Sequence, residues 1–276
     1  MSEEARENAS TPSTPPAPVA PAAVPADVPV QAPVQRRRIV RDSLPVLLVR
    51  AAHPRQALLT AAALAAVAAL DARPGREIAL VAATVLVGQT LLGWHNDLLD
   101  RARDRAHERT GKPIADGRLD PGAVWFAWCC GVLLLVPVAV NNGVAAGCCY
   151  LASVAVGLLA NLDNPLVRRG LLSWLPWAVA FSLYPAFLSY GGWGGQAEGD
   201  PPQPILLALA ALLGVGVHFL TALWGLVADD EDGWTYLPLR VGRRLGATRL
   251  LVVTVAFLVA AGAAFAVVAH QVGLSR

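Results

Sequence analysis

Charge is scarce in this chain: Asp, Glu, Lys and Arg together make up 15% of its 276 residues, against about 25% in an ordinary soluble domain. The 22 basic and 20 acidic residues nearly cancel, which removes the basic excess expected of a nucleic-acid binder. Cysteine is sparse as well. The 4 cysteines stand as adjacent pairs, Cys129 with Cys130 and Cys148 with Cys149. Lacking the two-residue spacer of metal sites, they read as small buried hydrophobes. No sustained alternation of apolar and polar residues occurs, so a closed β-barrel is excluded. No charged segment runs directly into a short apolar core near the start, so a cleaved secretory leader is not expected.

What is present in excess is apolar sequence. Hydrophobic residues make up 55% of the chain and the mean hydropathy is +0.49. Continuous Ala/Leu/Val runs reach the roughly 20 residues that a helix needs to cross a bilayer. The expected fold is all-α, a polytopic transmembrane helix bundle of about seven spans. They fall near 54–71, 78–97, 122–140, 143–162, 171–193, 204–228 and 249–269. The first is the shortest in apolar terms, from Ala57 to Leu70, with Pro54 opening its helix and Arg55 able to snorkel. Trp125, Trp128, Trp174, Trp177 and Trp193 sit near span ends, as an interface belt would place them.

Residues 1–42 are different material, rich in Pro, Ala, Ser and Thr and too poor in large apolar side chains to bury a core. They read as a disordered tail ahead of a transmembrane domain over 43–276. Arg36, Arg37 and Arg38 at its end suit contact with anionic lipid better than a twin-arginine signal.

Lys and Arg are unevenly shared between the connections. Arg36, Arg37, Arg38, Arg41 and Arg50 precede the spans; Arg101, Arg103, Arg105, Arg109, Lys112 and Arg118 follow the second, Arg168 and Arg169 the fourth, and Arg240, Arg243, Arg244 and Arg249 the sixth. The other side receives Asn141, Asn142, Glu198 and Asp200, with Arg73 and Arg76 as the only dissent. An excess of positive charge marks the cytoplasmic side. The N-terminus is therefore expected in the cytoplasm, and the membrane is expected to be the cytoplasmic one.

Against this background the segment N-D-L-L-D-R-A-R-D, Asn96 to Asp104, stands out. Asp97, Asp100 and Asp104 recur at i, i+3 and i+7 and share one helix face with Asn96 beside them. Acids at the membrane boundary are costly and usually functional. A face of hard oxygens suits a divalent cation such as magnesium, which binds through a few carboxylates and fills its remaining positions with water and substrate phosphate. Lys112, in the K-P-I-A-D-G that follows, suits an anionic ligand beside that cation.

These residues resemble the UbiA superfamily of intramembrane prenyltransferases. Asn96, Asp97, Asp100 and Asp104 match its N-D-x-x-D-x-x-x-D motif, and K-P-I-A-D-G is similar to the R-P-I-x-x-G after it, with Lys112 in place of arginine. Arg168 and Arg169 resemble the basic pair after the fourth span that helps hold a diphosphate, although the upstream tyrosine has no counterpart near Asp163. The second motif, D-x-x-x-D with glycine and L-P-x-R-x-G, is matched by G-L-V-A-D-D-E-D-G-W-T-Y-L-P-L-R-V-G. Asp229 falls on its second aspartate and Gly225 on its first, which is missing. Asp230, Glu231 or Asp232 could supply a substitute oxygen.

The resemblance covers roughly residues 45–270 and implies nine spans where seven are counted. It implies magnesium-dependent transfer of a prenyl group from a polyprenyl diphosphate to a hydrophobic acceptor, aromatic or lipid, within the membrane. Asp97, Asp100, Asp104 and Asp229 would be catalytic; Asn96, those four aspartates and Asp230 would hold Mg2+. Asn96, Lys112, Arg168, Arg169 and His218 would bind substrate. His218 lies seven residues before Gly225 and so on the same side of the sixth span. Trp94 and Trp224, close to the two motifs, offer π faces to a carbocation.

Two other readings fit the same chain. One keeps the fold without catalysis, as a lipid-binding relic, because of the aspartate missing at Gly225. The other is a transporter with an acidic cytoplasmic vestibule, but neither midplane charges on broken helices nor an inverted repeat is found.

Overall fold

Proline and glycine punctuate the apolar sequence, and the helix boundaries fall on them. The structure, a computed structural model, describes residues 42–162, 169–192 and 199–274. The tail before residue 42, together with Asp163, Arg168, Trp193 and Glu198, lies outside the described residues. The elements are all helical: α1 Leu44–Ala51, α2 Pro54–Leu70, α3 Gly75–Ala106, α4 Pro121–Val140, α5 Val144–Asn161, α6 Leu175–Tyr190, α7 Pro204–Ala222, α8 Leu226–Glu231, α9 Leu237–Leu245 and α10 Ala247–Val272. Pro54, Pro121 and Pro204 occupy first helical positions, where a missing N–H costs nothing. Asp120 caps α4 by accepting the Ala123 N–H at 2.8 Å.

Among the described residues, five helices, α3, α4, α5, α7 and α10, are long and apolar enough to cross a membrane. The two remaining expected spans are shorter, α2 with 17 residues and α6 with 16. The 32 residues of α3 extend about 48 Å, well beyond a hydrocarbon core of about 30 Å. Its C-terminal turns, which carry the first aspartate segment, therefore project past the apolar layer.

The sixth expected span does not run to residue 228. It stops at Ala222, and Trp224 and Gly225 donate to carbonyls three residues back, at 3.3 and 3.0 Å, before α8 begins at Leu226. Such tight terminal bonds close a helix. Apolar residues continue through the break, so hydropathy alone does not reveal it.

α3 is the hub of the bundle, packed against α1, α2, α4 and α5; α5 rests on α6, α6 on α7 and α7 on α10. Val81, Val85, Leu91, Leu135, Tyr150, Phe187 and Leu206 form its buried centre. Tyr150 is wholly buried and donates its hydroxyl to the Val85 carbonyl at 3.1 Å. α10 is the least buried of the five spans and turns Val252, Val255, Val259 and Val267 outward. All four cysteines are free, and Cys129, Cys130 and Cys148 are exposed on the outside of their helices.

Candidate active site

Two acidic segments meet at one end of the bundle, one on the last turns of α3 and one on α8. The elbow between α1 and α2 comes to the first segment because α3 has a glycine one turn earlier. A Cβ at Gly93 would lie 2.7 Å from the Ala52 carbonyl oxygen, so only glycine admits this approach. Trp94 reinforces it by donating Nε1–H to the Leu48 carbonyl at 2.8 Å. His53, held at φ +51° in the left-handed region, is thereby delivered to Asp97.

Asp97 is 2% exposed, and its Oδ1 receives both His53 Nε2 at 2.7 Å and the Lys112 ammonium. His53 Nε2 also lies 3.2 Å from Lys112 Nζ. One ring nitrogen cannot donate to the carboxylate and accept from the ammonium together. The shorter contact assigns Nε2–H to Asp97. Lys112 Nζ further lies 3.5 Å from Asp104 Oδ2, and Arg109 Nε lies 3.6 Å from Asp104 Oδ1. Asn96 donates Nδ2–H to Asp100 Oδ2 at 2.9 Å. Lys112 thus brings Asp97 and Asp104 together, while Asn96 and Asp100 pair with each other on the same turns of α3.

The second segment is clasped to α3. Arg103 donates from Nη2 to Asp229 Oδ1 at 2.5 Å and from Nε to Asp232 Oδ2. Its guanidinium carbon lies 4.3 Å from the ring centre of Trp234, a cation–π contact. Tyr236 donates its hydroxyl to Asp229 Oδ2. His107, one turn beyond Arg103, meets Asp232 Oδ1 at 2.9 Å and Glu231 at 3.5 Å. Asp230 is paired with Arg243, whose Nε donates to its Oδ1 at 2.6 Å.

These contacts set protonation. The Arg103 hydrogen bond, with help from His107, holds the Asp232 carboxyl below its ordinary value. Burial first, and then the hydrogen bond to Asp229, push the Tyr236 hydroxyl far upward. Tyr236 therefore keeps its proton and remains a donor to Asp229.

His218 is buried, 3.0 Å from the Ser173 hydroxyl, with Trp177 and Tyr236 rings 5.7 and 6.1 Å from its own. Among the described residues it meets the second segment through Tyr236. Arg169 is exposed, and its carbonyl accepts from Thr235 Oγ1 at 3.1 Å, which ties the α5–α6 connection to the second motif. Trp94 is engaged with Leu48, and Trp224 is 85% exposed at the helix break; Trp234 is the ring beside the acids.

The donor set of the first segment fits a hard cation. Asp97 Oδ2 and Asp104 Oδ2 are buried without a hydrogen bond, the second despite its 3.5 Å approach to Lys112. Buried carboxylate oxygens without a hydrogen bond are costly in a protein and call for a partner. Among the described residues no three His, Cys, Asp or Glu side chains converge tightly enough to hold a metal unaided. A cation here would share its coordination with an oxygen-rich ligand, as magnesium commonly does.

An all-helical membrane bundle with carboxylates gathered at one end of its longest helix defines the class. Within it, a family model of the UbiA prenyltransferase family matches residues 57–275, and the chain belongs to that family. The fold is also that of a solved structure described as a UbiA homolog from Archaeoglobus fulgidus bound to GPP and Mg2+. That chain is 18% identical with a TM-score of 0.59, over 78% of this chain and 77% of the other. Comparison with curated proteins returns no match.

Proposed function

We propose that this protein transfers a prenyl group from a polyprenyl diphosphate to an aromatic or lipid acceptor within the membrane, with the diphosphate held at the first aspartate segment on magnesium. The observation that carries this reading is the pair of buried, unbonded oxygens, Asp97 Oδ2 and Asp104 Oδ2, at the end of an apolar bundle. Family membership and the GPP and Mg2+ in the archaeal homolog support it.

Asn96, Asp97, Asp100 and Asp104 would hold the cation, which supplies neutralisation of the leaving diphosphate. His53 and Lys112 fix Asp97 through Oδ1 and so present Oδ2. Lys112 and Arg109, with Arg168 and Arg169 from the α5–α6 connection, balance phosphate charge. The donor's allylic carbon–oxygen bond breaks with its electron pair on the diphosphate. An electron-rich carbon or oxygen of the acceptor then bonds to the allylic carbon and gives up its proton to a carboxylate of the aspartate segments. The apolar bundle excludes the water that would compete. The arginine-rich connections support a cytoplasmic side for this chemistry, with the N-terminus.

The test is binding of geranylgeranyl diphosphate to the detergent-purified protein with and without magnesium, alongside Asp97→Asn and Asp100→Asn. Magnesium-dependent binding lost in both variants is expected. Binding indifferent to magnesium and to both variants would overturn the site. Intact binding with no transfer to any acceptor would favour the relic, the reading suggested by the glycine at 225.

A further inference from the structure

The two acidic segments differ in what already holds their oxygens. In the first, Asp97 Oδ2 and Asp104 Oδ2 are buried without a hydrogen bond, with the flexible Lys112 ammonium 3.5 Å from the second. In the second, Asp229 is 5% exposed and both its oxygens are taken, Oδ1 by Arg103 and Oδ2 by Tyr236. Asp232 is taken by Arg103 and His107, and Asp230 by Arg243. A cation entering the second segment would have to displace a guanidinium that is paired with two carboxylates and stacked on Trp234.

Resting on the function proposed above, we infer that Arg103 serves as the fixed cation of the second acidic segment, so that the chain binds its diphosphate with one divalent ion, at the first segment. Arg103 lies on the same C-terminal turns of α3 as Asp100 and Asp104, and from there it reaches across to Asp229 and Asp232. Its contacts to Asp229 and Asp232 use Nη2 and Nε and not Nη1.

Gly225 belongs to the same arrangement. A Cβ there would fall 2.8 Å from Asp229 Oδ2 and 3.1 Å from Oδ1, so any side chain at 225 requires the carboxylate to shift from its present position against Arg103 and Tyr236. With glycine at 225, Asp229 can fold back onto Arg103. An aspartate at 225 would crowd Asp229 and add a second carboxylate. The absent aspartate and the present arginine are two halves of one arrangement.

The experiment counts manganese by its EPR signal on detergent-purified protein with geranyl thiolodiphosphate, an uncleaved donor analogue. One manganese per chain is expected for the wild type, none for Asp97→Asn, and two for Arg103→Gln/Gly225→Asp. Two per wild-type chain, or one that survives Asp97→Asn, would overturn the inference and leave prenyl transfer standing. A double variant that binds the analogue yet stays at one would also overturn it. A wild-type chain that takes up neither manganese nor analogue would overturn the proposed function and this inference with it. The wild-type count decides the matter even where the double variant fails to fold.

Discussion

Gly93 and Ala52 are in direct backbone contact: a Cβ at Gly93 would lie 2.7 Å from the Ala52 carbonyl oxygen and 2.8 Å from its carbon. This contact sets the distance between the α1–α2 elbow and the first aspartate segment. Gly93→Ala should separate them, at a cost of about 1–3 kcal/mol from overpacking, and withdraw His53 from Asp97. Both the thermal midpoint and affinity for geranylgeranyl diphosphate should fall. A variant that melts lower but binds normally would show that the elbow is structural only.

His53 itself should position Asp97. His53→Ala removes the Nε2 donor at 2.7 Å and leaves Lys112 alone on Oδ1. A hydrogen bond to a charged group is worth roughly 1.5–3 kcal/mol, so magnesium affinity should drop by about tenfold or more. His53→Gln, which keeps a side-chain donor, should recover part of it. Equal affinities for the alanine and glutamine variants would remove the positioning role.

The sequence carried the first segment well, because Asp97 and Asp104 are seven residues apart on one helix and their spacing survives any error in the helix ends. His53 was beyond its reach. It lies 44 residues before Asp97, and its approach depends on a left-handed backbone and on a glycine whose role appears only when two helices meet. Arg103 reads as one of the charges that orient a loop, since nothing local tells an arginine facing solvent from one facing an acid 126 residues away. The end of α7 at Ala222 was hidden for another reason. Leu223 to Ala228 remain largely apolar, and periodicity does not report a break made by backbone bonds.

The Asp232 ion pair should show in the acid limb of stability. Arg103 and His107 hold its carboxyl below the ordinary value of 3.8. The contribution is therefore fully present above that value and is lost as pH falls through the depressed folded value. The difference in thermal midpoint between wild type and Asp232→Asn should be constant at neutral pH and vanish in strong acid. A difference that grew as pH fell would contradict the pairing.

Tyr236→Phe tests the neutral donor on Asp229. The change deletes only the hydroxyl on Oδ2 and strands one oxygen of a buried carboxylate, for which about 1–3 kcal/mol is expected. The thermal midpoint should fall, while Trp234 and Arg103 stay in place. An unchanged midpoint would mean that water satisfies Asp229 in the folded protein.

Arg103→Lys separates charge from shape. The guanidinium reaches Asp229 and Asp232 from different nitrogens and lays its plane over Trp234 at 4.3 Å. An ammonium keeps the positive charge but offers neither the rigid fork nor the plane. If the fork is what clasps α8 to α3, Arg103→Lys should lose nearly as much thermal stability as Arg103→Ala. Removing one partner of a buried pair typically costs about 3–5 kcal/mol. Arg103→Ala should then regain stability on adding manganese, because Asp229 Oδ1 is opened to a mobile cation, whereas the lysine variant should respond less. A lysine variant as stable as the wild type would show that one positive charge near Asp229 is sufficient and that the geometry of the fork is incidental.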